Sequence, residues 1–328
     1  MIEIISGSSY IELNQSISQL DTNSPFLNIN FFTALEKSKS IGEGTGWISF
    51  PIIAKNNNEI IGFMPIFLKE HSYGEYVFDH SWADAFQQHG LNYYPKMISA
   101  IPFTPITGSR VLANDIAVKK AMIKAIEKIL VEYKISSCHI LFPEKKDHEL
   151  FNEMGWLPRK GVQFKWHNDS YQTFDEFLQS LSHDKRKKIK QERKKIKKNG
   201  ICIERKQGAD ITIEDIDFFY ECYCETYRLH HSTPYLKKSF FYELSKTMAD
   251  ELLVIIAKKN DTKVASALSI IGLDTLYGRY WGAIEFFSGL HFELCYYQGQ
   301  EFCIENKIQY FEGGAQGEHK LARGFKPF

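Results

Sequence analysis

Residues 252–282, LLVIIAKKNDTKVASALSIIGLDTLYGRYWG, decide the fold. The runs 251–259, 263–272 and 275–282 are rich in β-branched and aromatic residues, and Asn260-Asp261 and Leu273-Asp274 separate them. Short apolar runs bounded by turn residues read as an antiparallel meander. Helical patterns flank it at 213–230, 237–248 and 290–306, and a short strand follows at 309–312. The expected class is therefore α/β (α+β), a mostly antiparallel sheet flanked by helices.

The first half repeats this order. Phe31-Phe-x-x-Leu35 followed by Ile52-Ile-Ala-Lys-Asn56 recurs as Phe240-Phe-x-x-Leu244 followed by Ile255-Ile-Ala-Lys258, with Asn260 close behind. The runs 47–56 and 59–69 read as a hairpin about Asn56-Asn-Asn58. Ala121, Met122, Ala125, Ile126, Ile129 and Leu130 give 116–133 a helical period, and 136–142 reads as a buried strand. A short helix at 146–154 and a strand at 157–166 lead into one long polar helix, 173–198, opened by Thr173 with Glu176 and closed by Asn199-Gly200. Matching order in the two halves points to a duplication. The expected organisation is a first domain over 1–170, a connecting helix over 171–200 and a second domain over 201–328.

A chain of 328 residues has room for two such cores. With 44% hydrophobic and 24% charged residues it is neither disordered nor fibrous. Its strongest apolar runs, such as 252–257, fall far short of the roughly 20 residues a membrane span needs. Met1-Ile-Glu-Ile-Ile-Ser6 lacks the basic start and apolar core of a secretory signal, so a cytoplasmic location is expected. The six cysteines form no C-x-x-C pair, and Cys222 and Cys224, two apart on a helical stretch, point in different directions; reduced thiols and no metal site are expected.

Forty basic against 40 acidic side chains give zero formal charge, but the balance is local. Lys185-Arg-Lys-Lys-Ile-Lys-Gln-Glu-Arg-Lys-Lys-Ile-Lys-Lys198 holds ten basic residues and one acid, leaving 30 basic and 39 acidic groups elsewhere. Such a run is either a solvated helix face or a phosphate-binding surface with Lys185, Arg186, Lys187, Lys190 and Arg193 as contacts. No helix-turn-helix, zinc-finger or RNP pattern accompanies it, so specific DNA reading is not expected.

Several familiar motifs fail on context. Gly42-Glu-Gly-Thr-Gly46 precedes a strand without a following Lys-Ser/Thr and reads as a turn; His291-Phe-Glu293 has no P-C-x-x-C partner; neither G-x-S-x-G nor H-E-x-x-H occurs. Polar and glycine residues gather instead in the last quarter. Alternation along 276–282 puts Tyr277, Arg279 and Trp281 on one face of a strand, with Gly278, Tyr280 and Gly282 on the other; Gly282 suggests close approach of another backbone. Glu293, Tyr297 and Glu301 are spaced to line one helix face, and the amides of Gly313-Gly-Ala-Gln-Gly317 suit an anion-binding nest.

These segments carry a resemblance. His71-Ser-Tyr-Gly-Glu-Tyr76, Trp82-Ala-Asp84, Tyr93-Tyr-Pro-Lys96, Pro102-Phe-Thr-Pro105, Arg279-Tyr-Trp-Gly282 and Gly314-Ala-Gln-Gly-Glu-His-Lys320 resemble the FemAB-like N-acyltransferases of the GNAT superfamily, linked to peptidoglycan biosynthesis or recognition. The resemblance spans nearly the whole chain. It implies two tandem GNAT-like domains and amide-bond formation between an acyl or aminoacyl donor and an amine acceptor. Acyl-CoA or aminoacyl-tRNA would be the co-substrate, with no permanently bound cofactor; a non-catalytic protein that binds cell-wall fragments is the competing class. The loop Ala283-Ile-Glu-Phe-Phe-Ser-Gly289 lacks the Q/R-x-x-G-x-G/A signature for a CoA pyrophosphate, and the resemblance implies a chain that runs past 324–328, so the second domain is expected to lack a final segment.

On this reading Glu293, Glu318 or His319 is the base and Tyr277 or Tyr297 the acid. Arg279, Trp281, Gly314, Gln316, Gly317 and Lys320 bind the donor, with Arg279 and Lys320 anchoring an anionic group. His71, Tyr73, Glu75, Asp79, Trp82 and Asp84 contact the acceptor.

Overall fold

The computed structural model describes residues 2–13, 17, 20, 24–314 and 317–328, and the main chain alone at Glu318. The chain divides into two compact units, 1–160 with 235–240, and 161–234 with 241–328.

The first unit contains β1 (Ile2–Ser6), α1 (Ile29–Lys37), β2 (Trp47–Ser49), β3 (Ile52–Asn56), β4 (Glu59–Met64), β5 (Ile66–Lys69), α2 (His80–Gln88), β6 (Lys96–Ser99), β7 (Leu112–Ala113), α3 (Ile116–Glu132), β8 (Cys138–Ile140) and α4 (Lys145–Glu153). Both arms of the expected hairpin are there, each split at a proline, Pro51 or Pro65, which cannot donate to a ladder. The result is two four-stranded sheets, β1-β3-β4-β7 and β2-β5-β6-β8. Asn57 and Asn58, at φ 48° and 68°, make the left-handed turn from β3 to β4. Val118, Met122, Ile123 and Ile126 bury one face of α3 in the core with Ile52, Ala54 and Met64. The crossover through α3 brings β8 back parallel to β6. Residues 80–88, within a ring-rich stretch that reads as a loop, form α2, and none of its side chains is buried.

The second unit contains β9 (Phe164–His167), α5 (Phe174–Ser180), α6 (His183–Lys198), β10 (Ile201–Gln207), α7 (Ile213–Leu229), α8 (Lys238–Thr247), β11 (Leu252–Lys259), β12 (Thr262–Ile271), β13 (Thr275–Ala283), α9 (Leu290–Phe292), α10 (Gln298–Glu305), β14 (Tyr310–Glu312) and β15 (Lys326–Pro327). Its seven-stranded sheet runs β10-β11-β12-β13-β14-β9-β15. Ile255, Ala265, Leu276, Leu294 and Phe311 lie in its core. The meander is as expected, and Asn260 and Asp261, at φ 48° and 62°, turn it as Asn57 and Asn58 turn the first. Each unit thus runs through antiparallel pairs to one parallel pair, β6 with β8 and β13 with β14.

Two expectations about organisation change. Residues 161–170 and the basic helix belong to the second unit, because β9 pairs with β14 and Ile189 and Ile196 of α6 enter that unit's core. The polar helix is also two helices. Leu181 and Ser182 adopt extended backbone, and α6 restarts with Asp184 in its first turn, where a carboxylate complements the helix dipole.

Candidate functional site

β13 and β14 pair over Thr275↔Tyr310, Leu276↔Phe311 and Tyr277↔Glu312; β14 then ends while β13 continues to Ala283. The two chains therefore open a wedge beside Glu312. A bulge in β13 decides what lines it. Opposite β12, Ser269 faces Gly278 and Leu268 faces Tyr280, so Arg279 is an extra residue. The predicted alternation fails at this point. Arg279 stays with Tyr277, its guanidinium 5.7 Å from that ring and Nη2 3.8 Å from Glu312 Oε2. Tyr280 packs on Tyr223 and Phe241, whereas Trp281 turns to His291, 4.7 Å away. Gly282 does meet another backbone, since a Cβ there would lie 1.8 Å from the Cys222 carbonyl oxygen.

Glu312 is 5% exposed, and Lys165, opposite it on β9, places Nζ 3.1 Å from Oε1. Lys320, 1% exposed, donates Nζ to the Gly314 carbonyl; burial and then Arg279 bring its pKa down to about 8 against the opposing pull of Glu312. Burial and Glu312 push the Tyr277 phenol up to about 12, so it stays protonated. Lys165, Arg279 and Lys320 outnumber the single carboxylate, which leaves the wedge fitted for an anionic group. His319, exposed on the neighbouring turn, sets Nε2 2.8 Å from the Tyr296 hydroxyl. Burial, Arg323 and Lys320 lower its pKa, so the ring is neutral at physiological pH.

Other predicted groups are committed elsewhere. A π-helical turn over Glu293–Tyr297 inserts one residue into the helix, so the face begun by Glu293 continues at Gln298, not Tyr297. Gln298 Nε2 donates to Glu293 Oε1 at 2.9 Å and Glu301 Oε2 at 3.3 Å. Arg193 reaches inward from α6 to the same pair, donating Nη2 to Glu293 at 3.0 Å and Nη1 to Glu301 at 2.7 Å. Glu293 is 3% exposed and both its oxygens accept from Arg193, so its charge is committed to a buried ion pair. Tyr297 donates to Glu192, and Arg323 donates Nε to Tyr297 at 3.0 Å and Nη2 to Glu192 at 2.7 Å. Burial, then Glu192, raises the Tyr297 pKa far above its usual value. Lys185, Arg186, Lys187 and Lys190 remain on the outer side of α6. In the glycine-rich turn, Gly314 and Gly317 take left-handed φ of 88° and 112°, whereas Gln316 and the Glu318 side chain lie outside the described residues.

In the first unit the predicted acceptor residues separate. Tyr73, Trp82 and Asp84 are exposed; His71 is half-buried with Nε2 3.1 Å from the Thr45 carbonyl. Glu75 and Asp79 are buried, clasping Lys96. Lys69 and Lys96, directly opposed on β5 and β6 and both 0% exposed, were not anticipated as a pair. Lys96 donates to Ser72, Glu75 and Asp79, and Lys69 to the carbonyls of Gly46 and Tyr73 beside the Trp47 ring. Burial brings the Lys69 pKa down to about 7, with Glu75 opposing. The only sequence signal is a lysine closing an apolar strand, Ile66-Phe-Leu-Lys69.

The wedge after β6 and β8 is closed. Arg110, 1% exposed, donates Nε to Leu141 O at 2.8 Å and Nη2 to Ile106 O at 2.6 Å, joining the two diverging chains. Gly108 then pairs with Pro143. Among the described residues no group of three His, Cys, Asp or Glu side chains is arranged to hold a metal, and no helix is long and apolar enough to cross a membrane.

This architecture, two units each built on antiparallel strands ending in a parallel pair, is that of tandem GNAT-like proteins. The chain belongs to the FemAB-like family described as peptidoglycan biosynthesis/recognition, whose pattern matches residues 6–328. It is similar to FemX (12% identity, 99% of this chain and 94% of that one, TM-score 0.57). It is also similar to L-PGS from Bacillus licheniformis (10%, 88% and 75%, 0.54) and to a tandem GNAT protein from the clavulanic acid biosynthesis pathway (7%, 100% and 96%, 0.50). No curated protein matches the sequence.

Proposed function

We propose that the protein forms an amide bond by moving an acyl or aminoacyl group from an activated donor to an amine on a cell-wall peptide, with the wedge of the second unit holding the donor. The observation that carries this reading is the divergence of β13 from β14 with Lys165, Arg279 and Lys320 gathered where they part. Backbone groups of the freed stretch of β13 receive the donor, and Arg279 and Lys320 meet its anionic group or the developing oxyanion. The amine nitrogen attacks the carbonyl carbon as the thioester or ester bond breaks. His319, neutral and braced by Tyr296, takes the amine proton; Tyr277, kept protonated by burial, supplies one to the leaving sulfur or oxygen. The family description and the FemX and L-PGS folds support a cell-wall acceptor.

Thermal-shift titration with acetyl-CoA, longer acyl-CoAs and aminoacyl-tRNA identifies the donor, since a ligand of the native state raises the midpoint. With that donor, Arg279→Ala is expected to weaken binding about 30-fold or more, and His319→Asn to lower kcat by about 100-fold with donor affinity kept. Retained turnover in both variants would overturn the assignment.

A further inference from the structure

We infer that Arg323 is the positioning residue for the base: given His319 as the proton acceptor proposed above, Arg323 fixes the main chain that carries it and ties that main chain to α6 through Glu192. The turn Glu318–Arg323 is six residues long, too short to keep its shape by its own hydrogen bonds. His319 is exposed on it, with the ring held from one side by Tyr296. The backbone beneath the ring must be held from elsewhere. Arg323 does this from a side chain that is 1% exposed. Nη1 donates to the His319 carbonyl at 2.8 Å, Nε to the Tyr297 hydroxyl at 3.0 Å and Nη2 to Glu192 Oε1 at 2.7 Å.

The flat face of the guanidinium is used as well, with Cζ 3.4 Å from the centre of the Phe292 ring, and the Arg323 carbonyl accepts from Gln300 Nε2 at 2.8 Å. Side chains of α6, α9, the π turn and α10 thus converge on one residue of the turn. Lysine offers neither the fork nor the flat face. Glu192 is the one acid among residues 185–198, and its inward ion pair with Arg323 accounts for it there. Lys320, on the same turn, is held separately by its own Nζ on the Gly314 carbonyl, so the wedge keeps that cation when Arg323 is lost. Arg323 also acts on the base electrostatically. With Lys320 from the same turn and Lys188 from α6, it opposes protonation of the His319 ring, after burial; His291, 6.3 Å away, is itself kept neutral chiefly by burial. A guanidinium that only filled space would leave the titration of His319 alone.

The test is an NMR titration of the histidine rings in the full chain, with His319 identified by the signal lost in His319→Asn, beside the pH profile of turnover with the donor found by thermal shift. In Arg323→Gln the ring of His319 should titrate at higher pH than in the parent, and the acid limb of kcat/KM should move with it. Its kcat should fall about 10- to 100-fold while donor affinity stays within about threefold. Arg323→Lys, which keeps a cation, should leave the titration low and still lose about tenfold in kcat. Glu192→Gln keeps Arg323 itself and covers the case in which the Arg323 variants do not fold; about a three- to tenfold loss in kcat is expected, with donor affinity retained. An unchanged His319 titration in folded Arg323→Gln, or full kcat in Glu192→Gln, with turnover lost in His319→Asn, would overturn the inference alone. Turnover kept in His319→Asn would instead remove the base assignment on which it rests.

Discussion

The two units meet the same geometric problem and solve it in opposite ways. Where a parallel strand pair separates, backbone groups lose their ladder partners and need others. In the first unit Arg110 supplies them, bridging the carbonyls of Ile106 and Leu141 from a fully enclosed position. In the second unit Arg279, its side chain 3% exposed, and Lys165 turn instead to the Glu312 carboxylate, and only Lys320 donates to a main-chain carbonyl, that of Gly314. One parting is thus tied through main-chain carbonyls, and the other gathers side-chain charge, where the proposed function puts the donor. The parallel pair itself is therefore no evidence of a working site; what stands between the strands after they part decides.

The largest effect that separates the units is expected from Arg110→Ala, which strips several buried carbonyls of a charged donor. A loss of about 3–5 kcal/mol is expected in denaturant unfolding. Arg279→Ala should cost less than half of that while weakening donor binding; equal destabilisation by the two would erase the distinction between rivet and cradle. Lys96→Met should be similarly severe, about 3–5 kcal/mol, because Glu75 and Asp79 would be left buried without a cation. Lys69→Met, on the same row of the sheet, is expected within about 1 kcal/mol of the parent, since the protein already disfavours that charge. Matching Tm losses for the two lysine variants would show that the quartet is indivisible.

These contrasts mark how far the sequence could be read. The meander at 252–282 and the hairpin at 47–69 follow from alternation and turn residues, which are local. The wedge residues Tyr277, Arg279 and Lys320 stood out because polar groups among glycines are unusual in a core. The bulge at Arg279 and the π turn at 293–297 leave no local mark, because each is one surplus residue that only pairing with β12 or with Arg193 reveals. Arg193 looked like its basic neighbours for the same reason: the carboxylates that claim it lie a hundred residues away. Arg110 carried no signal at all, as its partners are main-chain carbonyls.

A smaller effect compares glycines. Gly282→Ala drives a Cβ against the Cys222 carbonyl, which is backbone, and should cost about 2–3 kcal/mol. Gly62→Ala in the first unit meets the Met122 side chain, which can move, but also Ala54 Cβ at 3.1 Å and Val118 Cγ1 at 3.2 Å, which are stiffer, and should cost about 1–2 kcal/mol, still less than Gly282→Ala.

The smallest contrast is in pH. Lys69 and Lys320 have folded-state pKa values of about 7 and about 8, below the ordinary 10.5 of an unfolded lysine. Above each folded value the native state has released a proton that the unfolded state still holds, so stability should rise with pH from that value toward 10.5. In Lys69→Met the rise should begin nearer pH 8, and in Lys320→Met nearer pH 7. Onsets unchanged in both variants would remove these lysines as its source.

The π turn gives this helix one residue more than an ordinary helix would hold. Relative to an uninterrupted helix of the same sequence, every residue after Tyr297 is displaced by about 100° around the axis, and that displacement is what brings Gln298 and Glu301 to Arg193 and 302–304 to the core. Deleting one residue within 294–297 would remove the surplus and leave Glu293 and Gln298 four apart, still on one face of an ordinary helix. Inserting a residue there would instead rotate Gln298, Glu301 and the buried side of 302–304 away together.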